Sequence, residues 1–118
     1  MQRIEGGWAW LLQRMTGLAL VVILVLHIWA THFANSESLI TFSGVQLRLS
    51  TVLYILVDWL LLTLGLYHGL NGVRNIVLDY GISEGRARVV TWLLLAIGLV
   101  ALVYGGYGLT AFMTGRPA

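Results

Sequence analysis

An all-α membrane protein of three spanning helices is predicted by three observations: a 58% hydrophobic and only 10% charged composition, three long apolar runs, and polar breaks between them. The 118 residues make one small domain, 1–118, with too little polar surface for a soluble enzyme. The chain has no cysteine, which excludes disulfides, thiolate-held iron–sulfur clusters on this chain and covalent haem attachment through C-x-x-C-H. Its net charge of +2 comes from seven arginines and no lysine, scattered singly, so nucleic acid is not an expected partner.

The first span is expected over about 8–33. Trp8 and Trp10 read as interfacial aromatic anchors. From Met15 to Phe33 no residue is acidic or Arg, and at about 1.5 Å per residue this run crosses the roughly 30 Å hydrocarbon layer. Arg3 and Arg14 ahead of an apolar run resemble a signal peptide, but the length of the run and His27 near its far end point to a retained helix. Ala34 to Leu47 reads as the first connection, with His32 at its edge.

The second span, about 49–79, exceeds what a bilayer needs and is expected to tilt or project at its end. Asp58 interrupts it near the outer interface, where its carboxylate would stay hydrated or bond another helix. Tyr80 to Arg88 is expected as a polar turn, and the third span as about 88–113. That last run carries no charge from Val89 to Met113, and Gly98, Gly105, Gly106 and Gly108 suggest close helix contacts. Arg3, Arg14, Arg74, Arg86 and Arg88 flank one side of the three spans, against Arg48 and Arg116 on the other, which places the N-terminus in the cytoplasm.

Chemistry concentrates in Gly65 to Tyr80, GLYHGLNGVRNIVLDY. At about 100° per residue, Gly65, Gly69 and Gly72 share a stripe with His68 at its edge, a hollow in which a flat cofactor could lie against backbone while the imidazole ligates its metal. Haem fits that description, and without cysteine it would be noncovalent haem b. Small residues four apart equally mark helix packing, and one histidine can simply bond a neighbouring helix. An ionisable ring inside a membrane is costly unless paired or used, which keeps His68 a functional candidate. His27 falls roughly 10 to 12 Å further out than His68, so the two would serve different haems, their opposite axial positions filled by another subunit. Thr16 lies on nearly the face of His27, and Arg14 at the inner end could meet a propionate or a quinone carbonyl, or merely snorkel.

Two patches resemble a known family, the three-helix membrane anchors of succinate dehydrogenase (succinate:quinone oxidoreductase, respiratory complex II), most closely the D-type anchor. Gln13-Arg14-Met15-Thr16-Gly17 is similar to the family's Arg-x-[Ser/Thr]-Gly, and His68-Gly69-Leu70-Asn71-Gly72-Val73-Arg74, continuing to Asp79-Tyr80, to its H-x-x-x-G-x-R with a terminal D-Y. The H-x-x-x-G-x-R spacing also occurs in the C-type anchor, so the lettering rests on the D-Y ending. The resemblance implies half of a haem-binding bundle, completed by a partner C-type anchor. His68 would be the axial ligand of haem b and His27 the ligand of a second, outer haem in two-haem members. Arg14, Arg74, Gly69 and Gly72 would border the cofactor, and Asp79, Tyr80 and Arg14 the ubiquinone or menaquinone site. It further implies a noncatalytic subunit in a bacterial or archaeal cytoplasmic membrane, tethering the iron–sulfur and flavoprotein subunits for electron transfer from succinate to quinone. A fumarate reductase anchor and a haem-free membrane assembly or transport subunit are the alternatives.

Overall fold

The computed structural model describes residues 5–33, 41, 43–45 and 51–114, with backbone alone at 5, 6 and 112. Three long helices make up almost all of it: α1, Glu5–His32; α2, Val52–Asp79; and α3, Glu84–Thr114. Each is long and apolar enough to cross a membrane. The expected first connection from Ala34 to Leu47 lies largely outside the described residues, as do Arg3, Arg48, Leu49, Arg116 and the final Gly-Arg-Pro-Ala.

Three helix starts differ from expectation, one of them that of α2, which begins at Val52 after the N-cap Thr51 and not at about 49. Helix α1 starts three residues before Trp8, at Glu5, and α3 starts at Glu84, ahead of the expected Arg88. At the α2 end, Gly81 takes the left-handed conformation, φ +69°, while its N–H bonds the Leu78 carbonyl at 3.0 Å. The turn is therefore finished within a few residues. The Ser83 carbonyl then accepts from the Ala87 N–H at 2.9 Å, and Glu84 in the first turn meets the positive end of the helix dipole. The polar residues Glu84, Arg86 and Arg88 are helix, because polarity near a membrane surface does not oppose helical backbone.

Helix α2 is central: it packs against both α1 and α3, while α1 and α3 do not meet. The result is an open layer, 56 × 27 × 20 Å along its principal axes. Among the described residues, glycines apart, only Ile55, Ala111 and Thr16 are buried, and no side chain is fully enclosed. The α2–α3 seam is built by knobs entering glycine notches. A Cβ on Gly98, Gly105 or Gly106 would stand 2.7 to 2.8 Å from Leu70, Leu62 and Trp59 respectively, distances no real Cβ tolerates. Three of the four expected contact glycines of the third span thus work as expected, whereas Gly108 faces open space.

Polar residues within the helices are satisfied locally. Thr16, Thr31, Thr63 and Thr91 each return their hydroxyl hydrogen to the carbonyl one turn back, at 2.7 to 2.9 Å. In a medium without water this removes the cost of an unpaired hydroxyl.

Candidate functional site: two histidines clasped between helices

His68 projects from α2 onto the backbone of α1. Its Nδ1 lies 3.1 Å from the Gln13 carbonyl oxygen and 3.2 Å from Thr16 Oγ1. The ring fits because residue 17 is glycine: a Cβ there would lie 2.9 Å from His68 Cε1. Gln13 answers from α1, its side-chain amide donating to the His68 carbonyl at 3.1 Å and its Oε1 accepting from Asn71 Nδ2 at 2.7 Å. Gly72 makes room for that amide, since a Cβ would stand 3.3 Å from Gln13 Nε2. One knot of Gln13, Thr16, Gly17, His68, Asn71 and Gly72 therefore holds the N-terminal half of α1 against the C-terminal half of α2. Gly17→Ala is expected to destabilise this contact by roughly 1–3 kcal/mol, read as a lower unfolding temperature of the detergent-purified assembly; an unchanged temperature would show that the ring shifts freely.

Gly65 and Gly69 behave differently from Gly72. A Cβ on either would meet nothing within 4 Å. Helix packing within this chain therefore does not explain these two glycines. They lie close to His68 along α2, where a flat group or a partner helix has room to reach α2 backbone near the imidazole.

His27 is clasped in a parallel manner. Its Nδ1 lies 2.8 Å from Asp58 Oδ1, joining the C-terminal part of α1 to the N-terminal part of α2, with the Asp58 side chain only 10% exposed. Of the two expectations for Asp58, hydration or a bond to another helix, the second holds. Gly17, which marks the height of His68 on α1, is ten residues from His27, so the two histidines stand about 15 Å apart along the helix. That separation is somewhat larger than the expected value of roughly 10 to 12 Å.

The remaining candidates lie apart from the histidines. Arg74 turns towards α3, its Nε donating to Thr91 Oγ1 at 2.9 Å, at one end of a mostly apolar cleft of about 410 Å³ that also takes in Tyr67, Asn71 and Leu94. Arg14 is exposed and stacks over the Trp10 ring at 4.1 Å. Asp79 and Tyr80 end α2, with Tyr80 83% uncovered by this chain. Sequence reasoning passed over Gln13, Asn71 and the pairing of Thr16 with His68. Asn71 stands one turn after His68, and Gln13 one turn before Thr16–Gly17, which was a signal that uncharged amides were placed to bridge helices.

Residues fit for haem are present on geometric grounds: an imidazole held by Nδ1, leaving Nε2 for iron, beside backbone laid open by Gly65 and Gly69. Among the described residues no three of His, Asp and Glu converge, so no bare-ion site is formed.

Comparison with known proteins agrees with this layout. Residues 1–104 match the family described as succinate dehydrogenase/fumarate reductase transmembrane subunit. Succinate dehydrogenase hydrophobic membrane anchor subunits from Thermoplasma acidophilum and Archaeoglobus fulgidus are each 30% identical to this chain. The first aligns over 93 residues (79% of this chain, 76% of the relative), the second over 99 (84% of each). The succinate dehydrogenase 2 membrane subunit SdhC of Mycobacterium tuberculosis is 28% identical over 103 residues, 86% of this chain and 74% of the relative. With its three apolar helices and a match across nearly its whole length, this chain belongs to the succinate dehydrogenase/fumarate reductase transmembrane subunits, as a multi-pass membrane anchor.

Proposed function

We propose that the chain forms half of a haem b-binding bundle, shared with a C-type partner anchor, and supplies part of the quinone site beneath the flavoprotein and iron–sulfur subunits. The observation that carries this reading is the clasp on His68. A histidine that only tied two helices together would need no open side, yet Gly65 and Gly69 leave bare backbone beside this one. His68 would hold the inner haem, Gly69 and Gly65 would allow its close approach, and Gly72 would act indirectly by seating Gln13. Haem b, when bound, accepts and returns single electrons. The open layer, with almost no enclosed side chain of its own, supports completion by a second anchor.

At the α2 terminus Tyr80 would donate a hydrogen bond to a quinone carbonyl and Asp79 would orient or relay protons. Arg14 would stabilise negative charge developing on the quinone, and Arg74 a charged group entering from the α3 side. Arg86 and Arg88, directly after this terminus, support a cytoplasmic N-terminus and a cytoplasmic Asp79–Tyr80 end in a bacterial or archaeal membrane. D-type lettering rests on the same Asp79–Tyr80 ending.

His27 supports a second, outer haem, because Asp58 binds Nδ1 and leaves Nε2. The same bond is what a purely structural clasp would show, so the count of haems decides. The purified complex is expected to show a reducible b-type Soret and α band. With two haems per complex, His27→Ala should remove one and leave the inner spectrum in place. One haem per complex, unchanged by His27→Ala, would make His27 and Asp58 a helix clasp, and no haem at all would leave a haem-free anchor.

A further inference from the structure

The hydrogen bonds around His68 specify which ring nitrogen carries the proton. The Gln13 carbonyl, 3.1 Å from Nδ1, can only accept, so Nδ1 is the donor. Thr16 agrees. Its hydroxyl gives its hydrogen to the Leu12 carbonyl at 2.7 Å and thereby turns a lone pair towards Nδ1 at 3.2 Å. Two acceptors on α1 thus share one Nδ1–H, and in the neutral ring the lone pair is then on Nε2. Gln13 cannot drift from this position, because its side-chain amide is fastened to the His68 carbonyl and to Asn71 of α2 at 3.1 and 2.7 Å. Gly17 lets the ring lie flat enough against α1 to reach both acceptors.

We propose that Thr16, Gln13 and Asn71 are positioning residues for the His68 ligand, holding the Nδ1–H tautomer and tuning the electron donation of Nε2. This rests on His68 being an axial ligand. A doubly accepted Nδ1–H gives the imidazole partial imidazolate character, which strengthens Nε2 as a donor and favours ferric over ferrous iron. The Thr16 hydroxyl supplies the removable half of that effect, since the other acceptor is backbone. Asn71 and the Gln13 side chain act one step further out, by fixing where the Gln13 carbonyl stands.

The test uses the assembled, membrane-extracted complex. Thr16→Val keeps the shape and deletes the acceptor, and Thr16→Ser restores an acceptor with a smaller side chain. In Thr16→Val the haem midpoint potential should rise, so that the ferrous-to-ferric ratio at the parent midpoint increases by roughly threefold or more; Thr16→Ser should return it towards the parent. Asn71→Leu should broaden the low-spin haem resonance in electron paramagnetic spectra, as the freed Gln13 admits several ring orientations. If the valine complex does not assemble, Thr16→Ala, which only opens space, is read in the same way. Haem retained at an unchanged potential in Thr16→Val or Thr16→Ala overturns the positioning role while leaving the haem reading intact. A parent complex with no reducible b-type band overturns the haem reading itself, and the two failures are thus distinct.

Discussion

Replacing His68 with asparagine is expected to abolish the inner b-type band while leaving the α1–α2 contact largely in place. An asparagine amide can present an N–H near the position of Nδ1, so the acceptors Gln13 O and Thr16 Oγ1 keep a donor, but it offers iron no imidazole nitrogen. His68→Ala would remove both functions and sacrifice in addition about 0.5–1.5 kcal/mol of helix contact. The pair of variants separates ligation from packing. Loss of the inner band in both, with the asparagine complex assembling nearly as well as the parent, is the expected result. A normal band in His68→Asn would transfer the axial role to another residue and leave His68 as a helix tie. Succinate oxidation with an artificial acceptor should persist in either variant so long as the soluble subunits remain attached, because no succinate chemistry is assigned to this chain.

Tyr80→Phe is expected to lower quinone turnover several-fold or more while leaving electron transfer from succinate to an artificial acceptor near normal. The ring at the end of α2 is 83% uncovered by this chain, so its hydroxyl is free to meet a molecule held between subunits. Removing one hydroxyl and keeping the ring deletes a hydrogen bond of about 0.5–1.5 kcal/mol, and more if charge develops on the quinone oxygen during reduction. Asp79, beside it on the helix terminus, should show a comparable defect as Asp79→Asn, through proton delivery or orientation. Unchanged quinone reduction and unchanged sensitivity to quinone-site inhibitors in Tyr80→Phe would make Tyr80 an interfacial anchor.

Much of this architecture was legible without coordinates. A run of apolar residues long enough to span a bilayer has essentially one backbone solution, since every N–H and C=O must be satisfied within the helix. The three spans followed from that constraint alone. Boundaries were less legible. The left-handed Gly81 and the first-turn Glu84 allowed α3 to begin at residue 84, where polarity had suggested a turn. His68 stood out because an ionisable ring in an apolar helix demands a reason. Its partners did not, for Gln13 and Thr16 precede it by more than fifty residues.

The order of the spans, the family motifs and the identity of the candidate ligands were determined by the sequence itself, through hydrophobic length and the cost of polar groups in lipid. Only the tertiary structure decided the register of α1 on α2. That register depends on small surfaces: Gly17 admits the imidazole, Gly72 admits the Gln13 amide, and a shift of one residue along α1 would turn the acceptors away by about 100°. The same register pairs His27 with Asp58 and leaves Gly65 and Gly69 uncovered. Helical periodicity places residues on faces, but which face meets which neighbour is settled by close packing between helices, and no local pattern along the chain encodes it.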